Sequence, residues 1–361
     1  MGFSRTAKIV VSVLSATLAT VVIVVGICIV NFVRKRKGRN ELPQKRSSGR
    51  KEEYEEETED LYSFPGGENL TIPDILEAPG EVLWKSSYGT LYKATIERLN
   101  LVVLLRFLRP TCTGRLKEIL PAIQMLGFVR QPNLVPLQAF YAGPRGEKLI
   151  VYPFVSHGNL AQFIRDGNGE SHNWAVIYRI ALGIVKGLDH LHCGLRFSII
   201  HGNLKSKNIL LDEIHEPYVS DFGLHHLLNS SADQEMVDVS AAQGYKAPEL
   251  MKMNEASKES DIYSLGVILL ELITGKGPID RNASPNPDLY LPNSMRNAIL
   301  EHRISDVFHP NILINRSYDQ NPITEERLLM FFQLAMACCS PSPALRPDIK
   351  QVLRKLEEIG Q

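Results

Sequence analysis

One polar stretch limits what this chain can become: His201-Gly202-Asn203-Leu204-Lys205-Ser206-Lys207-Asn208. An apolar run, residues 209–211, follows it, and Asp221-Phe222-Gly223 comes soon after. Asn208 and Asp221 are oxygen-ligand residues of the kind a phosphoryl-transfer site uses to hold magnesium. Such a site also needs a carboxylate between His201 and Asn208 to accept the proton of the substrate hydroxyl. The chain has Asn203 there, and an amide cannot act as that base. The stretch reads as a phosphoryl-transfer site that has been built and then disarmed.

The pattern along the chain supplies the setting. Residues 9–33 carry no charge and are rich in Val, Ile, Leu and Ala. A spanning helix needs about 20 such residues, whereas the apolar part of a cleaved signal usually runs to about 7–15. A transmembrane helix over 9–33 is therefore expected. Arg34, Lys35, Arg36, Lys37 and Arg39 follow it, against Arg5 and Lys8 before it. That asymmetry predicts a cytoplasmic C-terminal part and a short extracytoplasmic N-terminus, residues 1–8. The expected place is a single pass through the plasma membrane. Residues 34–70 read as a juxtamembrane linker. It is basic at first (Lys45, Arg46, Arg50, Lys51), then acidic from Glu52 to Asp60, and Pro65-Gly66-Gly67 closes it.

From residue 71 to 361 the pattern is globular. Residues 88–94, 101–105 and 149–152 read as strands. Trp174, Ile177, Ala181, Ile184, Leu188 and Leu191 recur every three or four residues, which predicts an amphipathic helix. Residues 262–273 are apolar on nearly all sides, as in a helix buried within a lobe. Residues 325–338 and 349–359 predict two more helices. Strands come early and helices late, so the expected fold class is α+β: a small β-rich lobe, then a larger helical lobe, with ligands between them.

Six motifs in order carry a resemblance. They are Ser86-Ser87-Tyr88-Gly89-Thr90, the stretch 201–208, Asp221-Phe222-Gly223, Ala247-Pro248-Glu249, Ser260-Asp261-Ile262-Tyr263-Ser264 and Arg346-Pro347. In this order and spacing the chain resembles the protein kinase domain, and more closely the plant leucine-rich-repeat receptor-like kinases, including their transmembrane kinase-like members. The resemblance implies the bilobal protein-kinase-like fold. It implies an ATP site at Gly89, Leu91, Leu104, Arg106, Tyr152, Val155, Lys205 and Leu210, and magnesium ligands at Asn208 and Asp221. It also implies an ion pair between Glu249 and Arg346, an Asp261 that holds the catalytic loop, and spine positions at Leu126, His201 and Phe222.

The departures from the family pattern are concentrated in the chemistry. Trp84 and Ser86 stand where the phosphate loop has its first two glycines, and only Gly89 remains. Arg106 replaces the strand lysine, and its planar fork does not reproduce a compact ammonium. Leu104 replaces a small residue against the adenine ring. Ala122 falls where the partner glutamate belongs, and Glu118 is one turn too early to substitute. Gly202 and Asn203 replace the arginine and the aspartate base of the catalytic loop. No catalytic set is left intact.

The chain therefore reads as a pseudokinase that takes ATP and magnesium weakly or not at all. Its expected partners are active receptor-like kinases, which it would scaffold or modulate. The competing readings are a slow serine/threonine kinase and a nucleotide sensor. Lys+Arg and Asp+Glu are both 40, so no net positive charge points to nucleic acid. The five cysteines have no metal-ligand spacing and read as reduced thiols.

Overall fold

The computed structural model describes residues 59–166, 170–251, 255–280, 289–303, 307–314 and 324–361. The expected membrane span at 9–33 and most of the expected linker lie outside these residues. Among the described residues no helix is long and apolar enough to cross a membrane.

The first lobe is a six-stranded antiparallel sheet. Its strands are β1 (Asp60–Ser63), β2 (Gly80–Lys85), β3 (Gly89–Ile96), β4 (Leu101–Leu108), β5 (Ala139–Ala142) and β6 (Lys148–Pro153), in the order β1-β5-β6-β4-β3-β2. Two helices belong to it: α1 (Ile72–Leu76) and α2 (Leu116–Gly127). Alternation along β4 sends Val103 and Leu105 into one core with Ile75, Ala94, Ala139 and Val151. Leu104 and Arg106 therefore face the other way, toward the cleft.

The second lobe is helical. It contains α3 (Leu160–Asp166), α4 (Trp174–Asp189), a β7–β8 hairpin (Ile209–Leu211, Pro217–Val219), α5 (Ser230–Ala242) and α6 (Lys258–Thr274). The helices α7 (Leu291–Leu300), α8 (Pro310–Ile314), α9 (Glu325–Cys338) and α10 (Ile349–Gly360) complete it. Asn173 caps α4 by accepting from the amides of Ala175 and Val176. The buried stripe of α4 includes Ile177, Ile180, Ile184 and Leu188. Every residue of α6 from Ser260 to Thr274 is buried, which explains its all-round apolar sequence.

Two expectations need correction. The stretch read as linker up to residue 70 enters the sheet at Asp60, because β1 pairs with β5 from Asp60↔Ala142 to Ser63↔Ala139. The acidic run before it hid a short strand, and Phe64 just after it is buried in the main core. The strand predicted over 101–105 continues to Leu108, since Arg106 is paired inside the protein and does not end the strand.

Candidate functional site

The cleft between the lobes is built on β4. Register places Arg106 opposite Leu91 of β3 and Ile150 of β6, and Leu104 opposite Tyr152. Leu104 is buried, while Leu91, Tyr152, Val155 and Leu210 are half-buried. Strand pairing thus joins Leu91, Leu104, Arg106 and Tyr152. Val155 follows β6, and Leu210 lies on β7.

Arg106 reaches across the cleft to Asp221. Its Nη2 lies 2.7 Å from Oδ1 and 2.6 Å from Oδ2, and both residues are buried. Burial opposes the charge on the guanidinium, and Asp221, with smaller contributions from Tyr88 and Tyr152, more than restores it. Arg106 Nε is buried without a partner. Tyr88, from the tip of the phosphate loop, is also buried. Burial pushes its hydroxyl up; Arg106 opposes that shift and Asp221 adds to it. Trp84 remains exposed, and Lys207 Nζ lies 5.2 Å from its ring centroid.

The residue that would be the base is present but inert. Asn203 is buried, its backbone N–H donates to His201 Nδ1 at 3.3 Å, and its Oδ1 has no partner. Asn208 Nδ2 donates to the Asn203 carbonyl at 2.9 Å. Lys205 Nζ donates to Gln243 Oε1 at 3.2 Å. Burial pulls the Lys205 ammonium down to about 8, with Asp221 opposing.

The supports of the loop are intact. Asp261 Oδ2 accepts from His201 N at 2.7 Å, Oδ1 accepts from Gly202 N at 3.0 Å, and His192 Nε2 lies 3.0 Å from Oδ2. Glu249 and Arg346 form a two-pronged pair at 2.6 and 2.7 Å. Leu126, His201 and Phe222 are all buried, and a Cβ on Gly223 would stand 2.7 Å from Leu126.

Helix α2 contributes no carboxylate to Arg106. Ala122 is half-buried against the core, and Glu118 is exposed and pairs with Arg115 at the start of the helix. The helix is held from its two ends. At the front, Gly114 N donates to Leu227 O, and Asn229 donates to both Cys112 O and Thr111 O. At the back, Phe64 packs on Gly127, and Arg130 donates to the carbonyls of Pro65, Gly127, Val129 and Leu137.

Three features were not read from the sequence. Tyr88 turns inward, although its position in the loop motif was visible. His225 covers Gly202, and the His225-His226 pair next to a missing arginine was the available signal. Residues 230–242 form a helix, α5, and Asn229 at its cap was the clue.

Two lobes, a cleft carrying the remains of a phosphate loop, and a catalytic loop held by an aspartate define a phosphoryl-transfer fold that lacks its base. The protein kinase domain matches residues 80–356, and the chain belongs to that family. It is 36% identical over 99% of its length to the putative kinase-like protein TMKL1 of Arabidopsis thaliana, covering 54% of that protein. It is 40% identical over 83% of its length to the probable leucine-rich repeat receptor-like protein kinase IMK3 of the same plant, covering 37% of it. Several other Arabidopsis relatives are described as probable inactive receptor kinases. The chain thus spans about half the length, or less, of these curated relatives. Among solved structures it matches the kinase domain of maize SIRK1 bound to AMP-PNP, with a TM-score of 0.73, 29% identity and coverage of 84% of this chain and all of that one. It also matches the pseudokinase domain of BIR2, an immune regulator, with a TM-score of 0.63, 29% identity and coverage of 77% and 80%.

Proposed function

We propose that this chain is a membrane-anchored receptor-like pseudokinase that works by protein contact, as a scaffold or allosteric partner of active receptor kinases. The observation that carries the reading is the state of the cleft. Asn203 stands at the base position, and Arg106, at the position of the phosphate-anchoring lysine, is bound to Asp221. Loss of a general base alone typically costs about 10² to 10⁴ in rate. With the anchor also engaged elsewhere, the cleft keeps Lys205 but has no carboxylate base and no free phosphate-anchoring cation on β4. The relatives described as inactive receptor kinases, and the BIR2 pseudokinase domain, support the reading. Residues 9–33 would supply the anchor and put the kinase-like domain in the cytoplasm.

The intact Glu249–Arg346 pair and the Asp261 bonds favour a domain kept in shape for binding. Radiolabelled autophosphorylation tests the catalytic half, with Asp221→Asn as control. The expected result is no incorporation above that control; wild-type incorporation that the control abolishes would establish a slow kinase instead. Proximity labelling in the native membrane tests the other half. Active receptor kinases are expected among the neighbours, and a labelled set without kinases refutes the partner role.

A further inference from the structure

The family pattern assigns magnesium to Asn208 and Asp221, and the geometry of this cleft does not fit that ion. A magnesium ion needs a near-octahedral shell of oxygens at about 2.1 Å. Here both Asp221 carboxylate oxygens face the Arg106 Nη2, at 2.7 and 2.6 Å. The pair is buried, so the charges are poorly screened. A divalent cation on the same carboxylate would set three positive charges around one negative charge. The other residue of the pattern, Asn208, gives its side-chain N–H to the Asn203 carbonyl, and its backbone carbonyl accepts from the amide and hydroxyl of Ser220, so what opposes the ion is the engagement of Asp221.

We propose that Arg106 is a built-in replacement for the metal: it neutralises Asp221 and ties the two lobes together, and it excludes divalent cations from the cleft. The cation in this site is covalently part of β4, so its occupancy does not vary with metal or nucleotide concentration. A guanidinium is permanently charged and presents donors in a planar fork, which suits a carboxylate held between lobes. Removal of the charged side chain frees the Asp221 oxygens for a metal. This deepens the reading of the cleft given above but fails separately from it, because metal uptake without phosphoryl transfer would overturn only this inference.

Manganese is the probe, titrated into the full chain while the free-ion signal is followed by electron paramagnetic resonance. The expected result is no wild-type binding at the cleft: the titration of wild type matches that of Asp221→Asn, including any ion bound elsewhere. Arg106→Ala should then take up one additional ion, which Arg106→Ala/Asp221→Asn loses. A wild-type ion that Asp221→Asn loses overturns the proposal. So does a folded Arg106→Ala protein with no added ion. Should Arg106→Ala not fold, Arg106→Met, which is neutral and of similar length, supplies the same gain-of-metal comparison. The wild-type titration is decisive for exclusion in either case. Thermal unfolding gives a second readout: magnesium should not alter the wild-type midpoint with AMP-PNP present, and a rise that requires magnesium also overturns the proposal.

Discussion

The contact between Phe64 and Gly127 predicts a reversal of sign. Phe64 is buried where β1 hands over to the rest of the first lobe, and its ring lies against the last residue of α2. A Cβ on Gly127 would stand 2.1 to 2.3 Å from three ring atoms, far inside contact distance. Gly127→Ala in the wild type therefore overpacks the junction, at a cost of about 1–3 kcal/mol. Phe64→Ala leaves a cavity and costs about 3–5 kcal/mol. In that background the same Gly127→Ala meets no ring. A helical glycine replaced by alanine then gains up to about 1 kcal/mol. The two changes should couple by roughly 1–4 kcal/mol, with Gly127→Ala harmful in one background and helpful in the other. Equilibrium urea unfolding of the four proteins measures this directly. Hydrogen exchange should show the loss concentrated in α2 and β5. A Gly127→Ala cost of the same sign and size in both backgrounds refutes the reasoning, and with it the view that residues preceding the kinase-like core brace α2.

Gly202→Arg, which restores the family residue, should destabilise the protein by more than about 1–2 kcal/mol. Gly202 has φ +77, a conformation costly for side chains, and a Cβ there would stand 2.6 Å from His225 Nδ1. His225→Ala should recover only part of the loss in urea unfolding. Asn203→Asp restores the carboxylate, yet should give no radiolabel incorporation above background, because Arg106 still holds Asp221. Glu271 is buried with Tyr245 and Ser206 as partners, and burial pushes its carboxyl up to about 8, partly opposed by those two bonds. Between the ordinary glutamate value and pH 8 the unfolded chain releases this proton while the folded protein keeps it. Stability should therefore fall as pH rises across that window, by a few kcal/mol in all. Glu271→Gln should flatten the decline between pH 5.5 and 8, and an unchanged slope in urea titrations would exclude Glu271 as its source.

Much of the fold was legible because its signals are local. The stripe from Trp174 to Leu188 sits on α4, residues 325–338 form α9, and the motif spacing places Asp261 and Arg346 on the partners expected of them. The missing groups of the cleft, Asn203, Arg106 and Ala122, were equally readable, since absence of a carboxylate or an ammonium is visible in the letters. What they do in its place was not readable. Arg106 and Asp221 are 115 residues apart, and their pairing depends on how the lobes close. β1 was hidden because four residues beside an acidic run carry too little periodicity to announce a strand.

The changes in the cleft are consistent with one another as parts of a single arrangement. A buried guanidinium without a carboxylate is strongly destabilising, so an arginine at 106 requires an acid within reach. Ala122 cannot provide it, and Glu118 is occupied with Arg115. Asp221 remains, and Arg106 takes it. Once Asp221 is neutralised by the protein itself, a base at 203 would have no metal-bound phosphate to act upon, and an asparagine is sufficient to keep the loop's shape. The same logic applies to α2. In the family pattern a lysine–glutamate pair ties this helix to the sheet from its middle. Here the pair is gone, and the tie passes to the ends: Asn229 and Leu227 of the segment after Asp221 at the front, Phe64 and Arg130 at the back. A helix fixed at both ends by packing and backbone bonds does not depend on nucleotide for its position. The lobes are thus held in register by contacts that persist in the absence of chemistry, which is the property a binding partner would require of the domain.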